Sequence, residues 1–491
     1  MATRHAVVVG GGITGLAAAL VLGQRGARVT VLERDPAPAA ADAASAFRDW
    51  RRPGVAQLRH SHAFLGRLRT LLAERHPDVL AALAAAGARE YRMMEQPPLW
   101  LEGRLVAEPG DEELVALGCR RTTFEWVLRR VASARGGVTL VPGARVLGLL
   151  AETGRPPRVT GVRCDGATGP ARLHADLVVD ASGRRSACAA WLAAIGAAAP
   201  EEQREPSGIT YYTRFFRLRP GAAEPPRDRH PTAGDWGWVK YGVFPADERT
   251  FSITLAAPLA VPRLRVLSRP RAFDALAAMI PGLAPWVDAA VATPIEDVGR
   301  PVQVMGGLVN RLRRFVGPDG PSSAGFVVLG DAAYCTNPLY GRGCAQGFLH
   351  AELLGDALEV RGWDDLAGVA VALDEKARRL IEPFFHASVL ADRDAVRKAE
   401  GRRAGTLTGR LRERFFEDGV GVALRCDPVV FRAFVRMMNM LETPEQAFSR
   451  PEVIARALWV MLRPGWVNAP YRLPPPPDRD RTIARLEAVA A

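Results

Sequence analysis

The chain has 491 residues, 48% hydrophobic and 24% charged, ordinary globular values that exclude a wholly disordered chain and allow two or three domains. The 65 Lys and Arg against 53 Asp and Glu leave a formal charge of +12, yet no zinc-finger spacing or RRM-like aromatic motif points to nucleic acid. The 6 cysteines form no CxxC pair and sit at no zinc-ligand spacing, so neither a disulfide framework nor a metal site is expected, and a reducing, cytoplasmic setting is.

Residues 5–9, HAVVV, form a β-branched run suited to a buried parallel strand. GGGITG follows at 10–15, then a predicted helix over 16–24 closed by Gly26, then a strand over 28–32 ending in Glu33. The apolar run 6–22 is interrupted by glycines and followed by no cleavage site, so it is read as a folding element and not a leader. No other uncharged stretch reaches the roughly 18 residues of a membrane span, so no transmembrane segment is expected.

This βαβ unit has the parts of a dinucleotide site. Gly10 permits the tight turn, Gly12 lets the main chain approach a pyrophosphate, and Gly15 lets the helix pack close to the strand. The helix N-terminus, with Ile13 and Thr14 in the turn, offers unpaired N–H groups to phosphate. Glu33 can accept from both hydroxyls of an adenosine ribose, which favours FAD or NAD; Arg34 beside it leaves NADP open.

Further along, RRPGVAQLRHSHAFLGRLRTLL (51–72) reads as a loop entering a helix. Residues 80–118 read as an excursion: an Ala-rich helix, then an irregular strand pair over 91–107. RTTFEWVLRR begins a helix at Arg120 or Arg121. ADLVVDASGRRS (175–186) is a strand feeding a small-residue turn. Segments 207–217, 236–244 and 250–257 alternate aromatic and polar positions and are predicted to be adjacent antiparallel strands covering a ligand. Tyr211, Phe215, Trp238, Tyr241 and Phe244 are the pocket candidates, each with a plain core role as the alternative.

A helix is predicted over 270–279. GFVVLGDAAYCTNPLYGRGCAQ (325–346) holds a buried strand, Gly330-Asp331 at its end, a turn at Asn337-Pro338, and a helix start at Gly341-Arg342-Gly343. From about 365 the pattern is helical, with Asp427 as the cap of a helix over 429–442, a second helix over 455–462, and a short final helix after PPPPDRD. The basic stretch 393–414 is either a solvated helical face or a contact for an anionic partner. Met437, Met438 and Met440 form either a core seam or a greasy surface.

The three glycine-bearing motifs, in this order, resemble the FAD-dependent monooxygenases of the aromatic-hydroxylase class, with related epoxidases and halogenases, over most of residues 1–360. QLRHSH, SGITYYTRFFRL and TNPLYGRG look nearest the bacterial polyketide and polyene epoxidase branch. Ala181-Ser182-Gly183 departs from that family's usual Ala-Asp-Gly turn. The resemblance implies an α/β chain with a Rossmann-like FAD-binding domain (1–80, 119–206 and 301–364), a pocket excursion (81–118), an antiparallel-sheet substrate domain (207–300) and a helical C-terminal region (365–491).

It further implies that Gly10, Gly12 and Gly15 cradle the FAD pyrophosphate and Glu33 holds the ribose. Arg121, or Arg120, reaches the pyrophosphate, and Asp331 the ribityl hydroxyls. Pro338 lies against the flavin ring, and Gly341, Arg342 and Gly343 present N–H groups to its pyrimidine edge. The loop carrying Arg59, His60 and His62 passes close to the flavin, which makes the two histidines candidates for flavin contact, substrate orientation or proton relay, against a purely structural pair.

The implied activity is oxygen transfer from a flavin C4a-hydroperoxide to an apolar polyketide, isoprenoid or aromatic substrate, by hydroxylation or epoxidation. O2 is the co-substrate, and NAD(P)H or a partner flavin reductase is the electron source, because no second GxGxxG follows the first. The alternatives are a flavin-dependent reductase or dehydrogenase of an isoprenoid or polyketide double bond, a flavin-dependent halogenase, whose lysine and GWxWxIP segment are not matched by Lys240 and DWGWVKYGVFP, and a non-enzymatic FAD-binding protein.

Overall fold

The computed structural model describes residues 3–38, 40–166 and 169–491. Its centre is a parallel sheet in the order Phe326–Val328, Leu177–Asp180, His5–Val9, Arg28–Glu33, Val138–Pro142. His5–Val9 is buried throughout, as a central strand covered on both faces requires. The helix Ile13–Gln24 starts earlier than the pattern predicts and is apolar nearly all round, because it lies between this sheet and the helix Arg342–Arg361. Those helices nearly touch: a Cβ on Gly347 would sit 2.2 Å from Thr14 Oγ1.

A second, antiparallel sheet runs Ala233–Asp235, Lys240–Pro245, Thr250–Pro258, Ile209–Leu218, Ala292–Pro294, and Gln303–Met305 pairs with the other end of Ile209–Leu218. Tyr212, Phe216 and Leu218 alternate onto one face and pack on the helix Pro270–Met279. Tyr211 and Thr213 face the other way, toward the parallel sheet. Ile209–Leu218 is therefore buried on both faces, and its aromatics are divided between core and cavity.

One expectation is corrected. Residues 91–107 are not a strand pair: Arg89–Arg92 pairs with Val115–Gly118, and between them Pro97-Pro98 removes two ladder donors and the chain turns at Leu99–Leu101. The final helix forms as predicted, over Arg479–Ala490, and Ile483 and Leu486 are fully buried against the core of the second sheet. Asp427 caps Pro428–Met438 as predicted, accepting from the N–H groups of Val429 and Val430 at 3.0 and 3.2 Å. Among the described residues no helix is long and apolar enough to cross a membrane.

Candidate active site

A cavity of about 700 Å³ opens at the C-terminal edge of the parallel sheet and continues beneath the antiparallel one. This is where ligands bind in open α/β sheets. At its cradle end the three glycines do different work. Gly10 has φ +102°, and a Cβ there would lie 2.7 Å from Ala181 O. A Cβ on Gly15 would lie 1.8 Å from Gly10 O, so Gly15 serves helix–strand packing, as its place in the motif predicts, and does not line the cavity where the resemblance put it. A Cβ on Gly12 would meet nothing within 4 Å: this glycine keeps the wall bare.

Two helices start at the cavity, at Gly12 and at Gly341, and neither has a side-chain cap. Their free N–H groups and dipoles converge on one space. Asp331 lines the same space, with no hydrogen-bond partner among the described residues, beside the side-chain-free Gly343. Ser182 Oγ and Arg184 Nε are buried without partners on the cavity wall. A bare glycine, two open helix starts, an unpaired carboxylate and unsatisfied donors fit the pyrophosphate and polyhydroxyl chain of FAD.

Glu33 accepts from Gly11 N and Asp35 N, each at 2.8 Å. Its carboxylate also pairs with Arg52, which is buried among Glu33, Asp35 and Glu125. Arg52 escaped the sequence reading, which chose Arg59 from the same loop. That choice is corrected: the Arg59 guanidinium donates to the carbonyls of Phe47, Arg48 and Trp50 at the end of the helix Ala43–Asp49 and does not reach the cavity. Arg34 does line it.

The choice between Arg120 and Arg121 is decided by geometry. Arg120 turns away to pair with Asp247 and stacks on Phe47, whereas Arg121 lines the cavity. Arg121 Nη1 lies 3.2 Å from His62 Nε2 and 3.7 Å from Cys344 Sγ. His62 Nδ1 donates to His60 O at 2.9 Å, so its Nε2 is left as the acceptor from Arg121 and the ring is neutral. Burial and the Arg121 charge push His62 down to about 3. Both its ring nitrogens are committed, which makes it a brace for Arg121.

His60 is different. Its Nδ1 meets Thr213 Oγ1 at 2.9 Å, and Nε2 has no hydrogen-bond partner among the described residues. Burial, with Arg184 adding to it, lowers His60 to about 4. A chain of hydroxyls continues from it, with Thr213 to Thr254, Thr254 to Ser61, and Ser61 to Ser252 each 2.7 Å apart. The two threonines face each other across adjacent strands. Either residue is unremarkable alone, so this chain of hydroxyls has no local signature; the one hint is a polar position on a buried stripe.

At the far end Tyr211, Tyr241 and Phe244 line the cavity as predicted, with Met93, Met305 and Met438. Lys240 also lines it, with its ammonium 2.7 Å from Asp235. The Tyr211 hydroxyl donates to Asn337, whose amide donates to Asp392, which also accepts from Asn310 at 2.7 Å. Burial raises Asp392 to about 6. This network ties the turn before Pro338, itself on the wall, to the helix Glu382–Ala399.

Phe215 and Trp238 are corrected to core roles: Phe215 packs edge-on against Phe47, and Trp238 precedes its strand and joins the core of the second sheet. Arg342 is expected at the cavity only through its main-chain N–H, and its side chain takes no part in the wall. It points away from the cavity onto Tyr340, Phe384 and Ser388, and only its neighbours Gly341 and Gly343 remain at the wall. Of the methionine trio, Met437 and Met440 are core and Met438 faces the cavity.

A fold with an open FAD-type cradle defines a flavoprotein oxidoreductase, and residues 5–356 match the FAD dependent oxidoreductase family (DAO). The chain belongs to that family and is an FAD-dependent oxidoreductase. It is 28% identical over 494 residues to Protein Rv3254 of Mycobacterium tuberculosis, with 94% of each chain covered. Among solved structures, the flavin-dependent brominase Bmp2 is similar with a TM-score of 0.59 at 14% identity, over 93% of this chain and 98% of that one. OxyS anhydrotetracycline hydroxylase of Streptomyces rimosus is similar with a TM-score of 0.56 at 18% identity, over 90% of this chain and 76% of that one. At these identities the likeness is one of fold.

Proposed function

We propose that this protein is a monooxygenase, a hydroxylase or epoxidase, acting on an apolar polyketide, isoprenoid or aromatic molecule. The observation that carries the reading is the continuity of one cavity, from the bare wall at Gly12 to the aromatic wall at Tyr241 and Phe244. The fold likeness to a hydroxylase, OxyS, supports it. In this reading segments 1–80, 119–206 and 301–364 hold the cofactor, 207–300 and the excursion 81–118 hold the substrate, and 365–491 closes the site.

Bound FAD supplies the redox and oxygen-activating chemistry. Gly10, Gly12 and the N–H groups at Ile13 and Thr14 hold its pyrophosphate, with Arg121 braced by His62. Glu33 takes the ribose, Asp331 the ribityl hydroxyls. The helix start at Gly341 and Gly343 favours negative charge at the pyrimidine edge, with Pro338 alongside. Tyr211, Tyr241 and Phe244 orient the substrate and exclude water. His60, kept neutral, accepts a proton at Nε2, and the Thr213–Thr254–Ser61 hydroxyls hold its ring and tautomer. Electrons come from NAD(P)H or from a separate flavin reductase.

The test is turnover of the purified holoenzyme under ¹⁸O2, with NADH, NADPH or photoreduction as the electron source, against a panel of polyene, isoprenoid and aromatic compounds. One ¹⁸O atom in the product is expected. A product that has lost a double bond without label would instead assign a reductase, and a halogenated one a halogenase.

A further inference from the structure

The outer face of the C-terminal helices breaks the usual rule for a surface. The helix Pro451–Leu462 buries Val453, Ala457 and Val460, so its opposite face should be polar. Toward its C-terminal end that face instead carries Leu458, Trp459 and Leu462, and Trp466 follows just after the turn at Pro464. Trp459 is 65% exposed and Trp466 79%. The helix Leu407–Arg414 has no buried residue at all, and shows Leu407 and Leu411, one turn apart, to solvent. It runs directly into the π-turn Phe415–Val420, which packs on Pro451–Leu462 where Gly419 meets Ala457, and which exposes Phe416. Exposed aromatic and leucine side chains grouped on neighbouring elements mark an interaction surface.

The charges say what it meets. Each acid on these elements that lies near a cation is already answered: Glu413 by Arg397, Glu417 by Lys398, Asp418 by Arg414 and Arg472, Glu452 by Arg456. Among the described residues Arg403, Arg410, Arg412 and Arg463 pair with no carboxylate. Arg412 lies 5.9 Å from the Phe416 ring and Arg463 5.8 Å from the Trp459 ring, so on both neighbouring elements an unpaired cation sits beside an exposed aromatic ring. Uncompensated arginines interleaved with Trp, Phe and Leu suit the headgroup layer of an anionic bilayer, where the rings enter the acyl boundary and the guanidinium groups meet lipid phosphates.

We infer that this face, built from Leu407, Leu411, Phe416, Trp459, Leu462 and Trp466, docks the protein peripherally on an anionic lipid surface. The helix beneath it, Pro428–Met438, packs on Pro451–Leu462 and ends at the cavity-lining Met438. The face therefore stands one helix layer from the substrate end of the cavity. This inference is independent of the oxygenation reaction.

The test is flotation of the FAD-loaded protein with vesicles of phosphatidylcholine alone and of phosphatidylcholine with phosphatidylglycerol. Binding to the anionic vesicles should be stronger by roughly tenfold and should weaken with added salt. The double variant Trp459→Ser/Trp466→Ser should abolish it, and Arg412→Glu/Arg463→Glu should remove its preference for anionic lipid, both with FAD content and melting temperature unchanged. Folded protein that floats with neither vesicle, or equally with both in wild type and variants, would overturn the inference. So would a wild-type dimer that becomes a monomer in Trp459→Ser/Trp466→Ser, which would assign the face to a second copy of this chain. Failure of the ¹⁸O2 experiment leaves each of these outcomes readable.

Discussion

At the cradle end of the cavity the main chain meets the ligand space; at the aromatic end side chains do. Gly12 and Gly343 leave the wall bare and two helix starts offer N–H groups, so geometry there depends on backbone conformation and on what is missing. At the other end Tyr211, Tyr241, Phe244 and Met438 come from three separate segments and meet because a sheet and a helix bring them together. The first kind of site tolerates almost no change at its glycines. The second can be reshaped one side chain at a time, which is how one scaffold serves many substrates.

The sharpest way to break this comparison is inside the cradle. Gly15→Val would drive a side chain into Gly10 O, and should cost about 3 kcal/mol or more, read as a lowered Tm with FAD lost. Gly12→Val has free space around it, so the apoprotein should melt within a few degrees of wild type while FAD affinity falls at least roughly tenfold, or about 1.4 kcal/mol. Equal effects of the two would erase the distinction between packing and ligand glycines. Arg52→Met should leave Glu33, Asp35 and Glu125 without their shared cation and destabilise the fold by about 3–5 kcal/mol, measured by urea unfolding.

The same contrast governs what the sequence made legible. The cradle is assembled from a few short motifs, each contiguous, and a contiguous motif can be read: Gly10, Gly12, Glu33, Asp331 and Gly341 all stand where their motifs implied, at the cavity wall. So can a helix with its own start and stop, as at Pro270–Met279, whose bounds the pattern gave residue for residue. For Phe215 and Trp238 the core alternative holds: Phe215 shares the face of Tyr211 and Thr213 but lies past the end of the cavity, against Phe47, and Trp238 precedes its strand, so alternation says nothing about it. Arg59 was preferred to Arg52 because no local rule tells which arginine of a long loop turns inward; three buried carboxylates on other elements decide it. Thr213 and Thr254 matter only together, through a strand register that composition does not encode.

Acid should expose the buried histidines next. His60 is held near 4 and His62 and His350 near 3, all by burial first, against an ordinary value of 6.5. Their neutral forms contribute stability that is complete above about pH 6.5 and is lost as pH falls through those depressed values, because the unfolded chain takes up the protons first. Asp392, raised to about 6, works the other way: its contribution is complete below its ordinary 3.8 and lost as pH rises through 6. Unfolding free energy should therefore fall between pH 6.5 and 4, and His350→Phe should flatten that slope by at most about 1.4 kcal/mol per pH unit.

The smallest expected effect is the most informative about the aromatic end. Thr213→Val removes the hydroxyl that holds His60 and breaks its link to Thr254 and Ser61, with little change in volume. With FAD content unchanged, substrate turnover should fall about tenfold through kcat with KM nearly constant, and His60→Asn should do the same. The double variant should be no worse than either single one, because both changes cut the same chain of hydrogen bonds. Tyr241→Phe, in the same cavity but outside that chain, should leave kcat within about twofold. If Thr213→Val and His60→Asn instead multiply each other's losses, the histidine acts apart from the hydroxyls and the relay is only a scaffold.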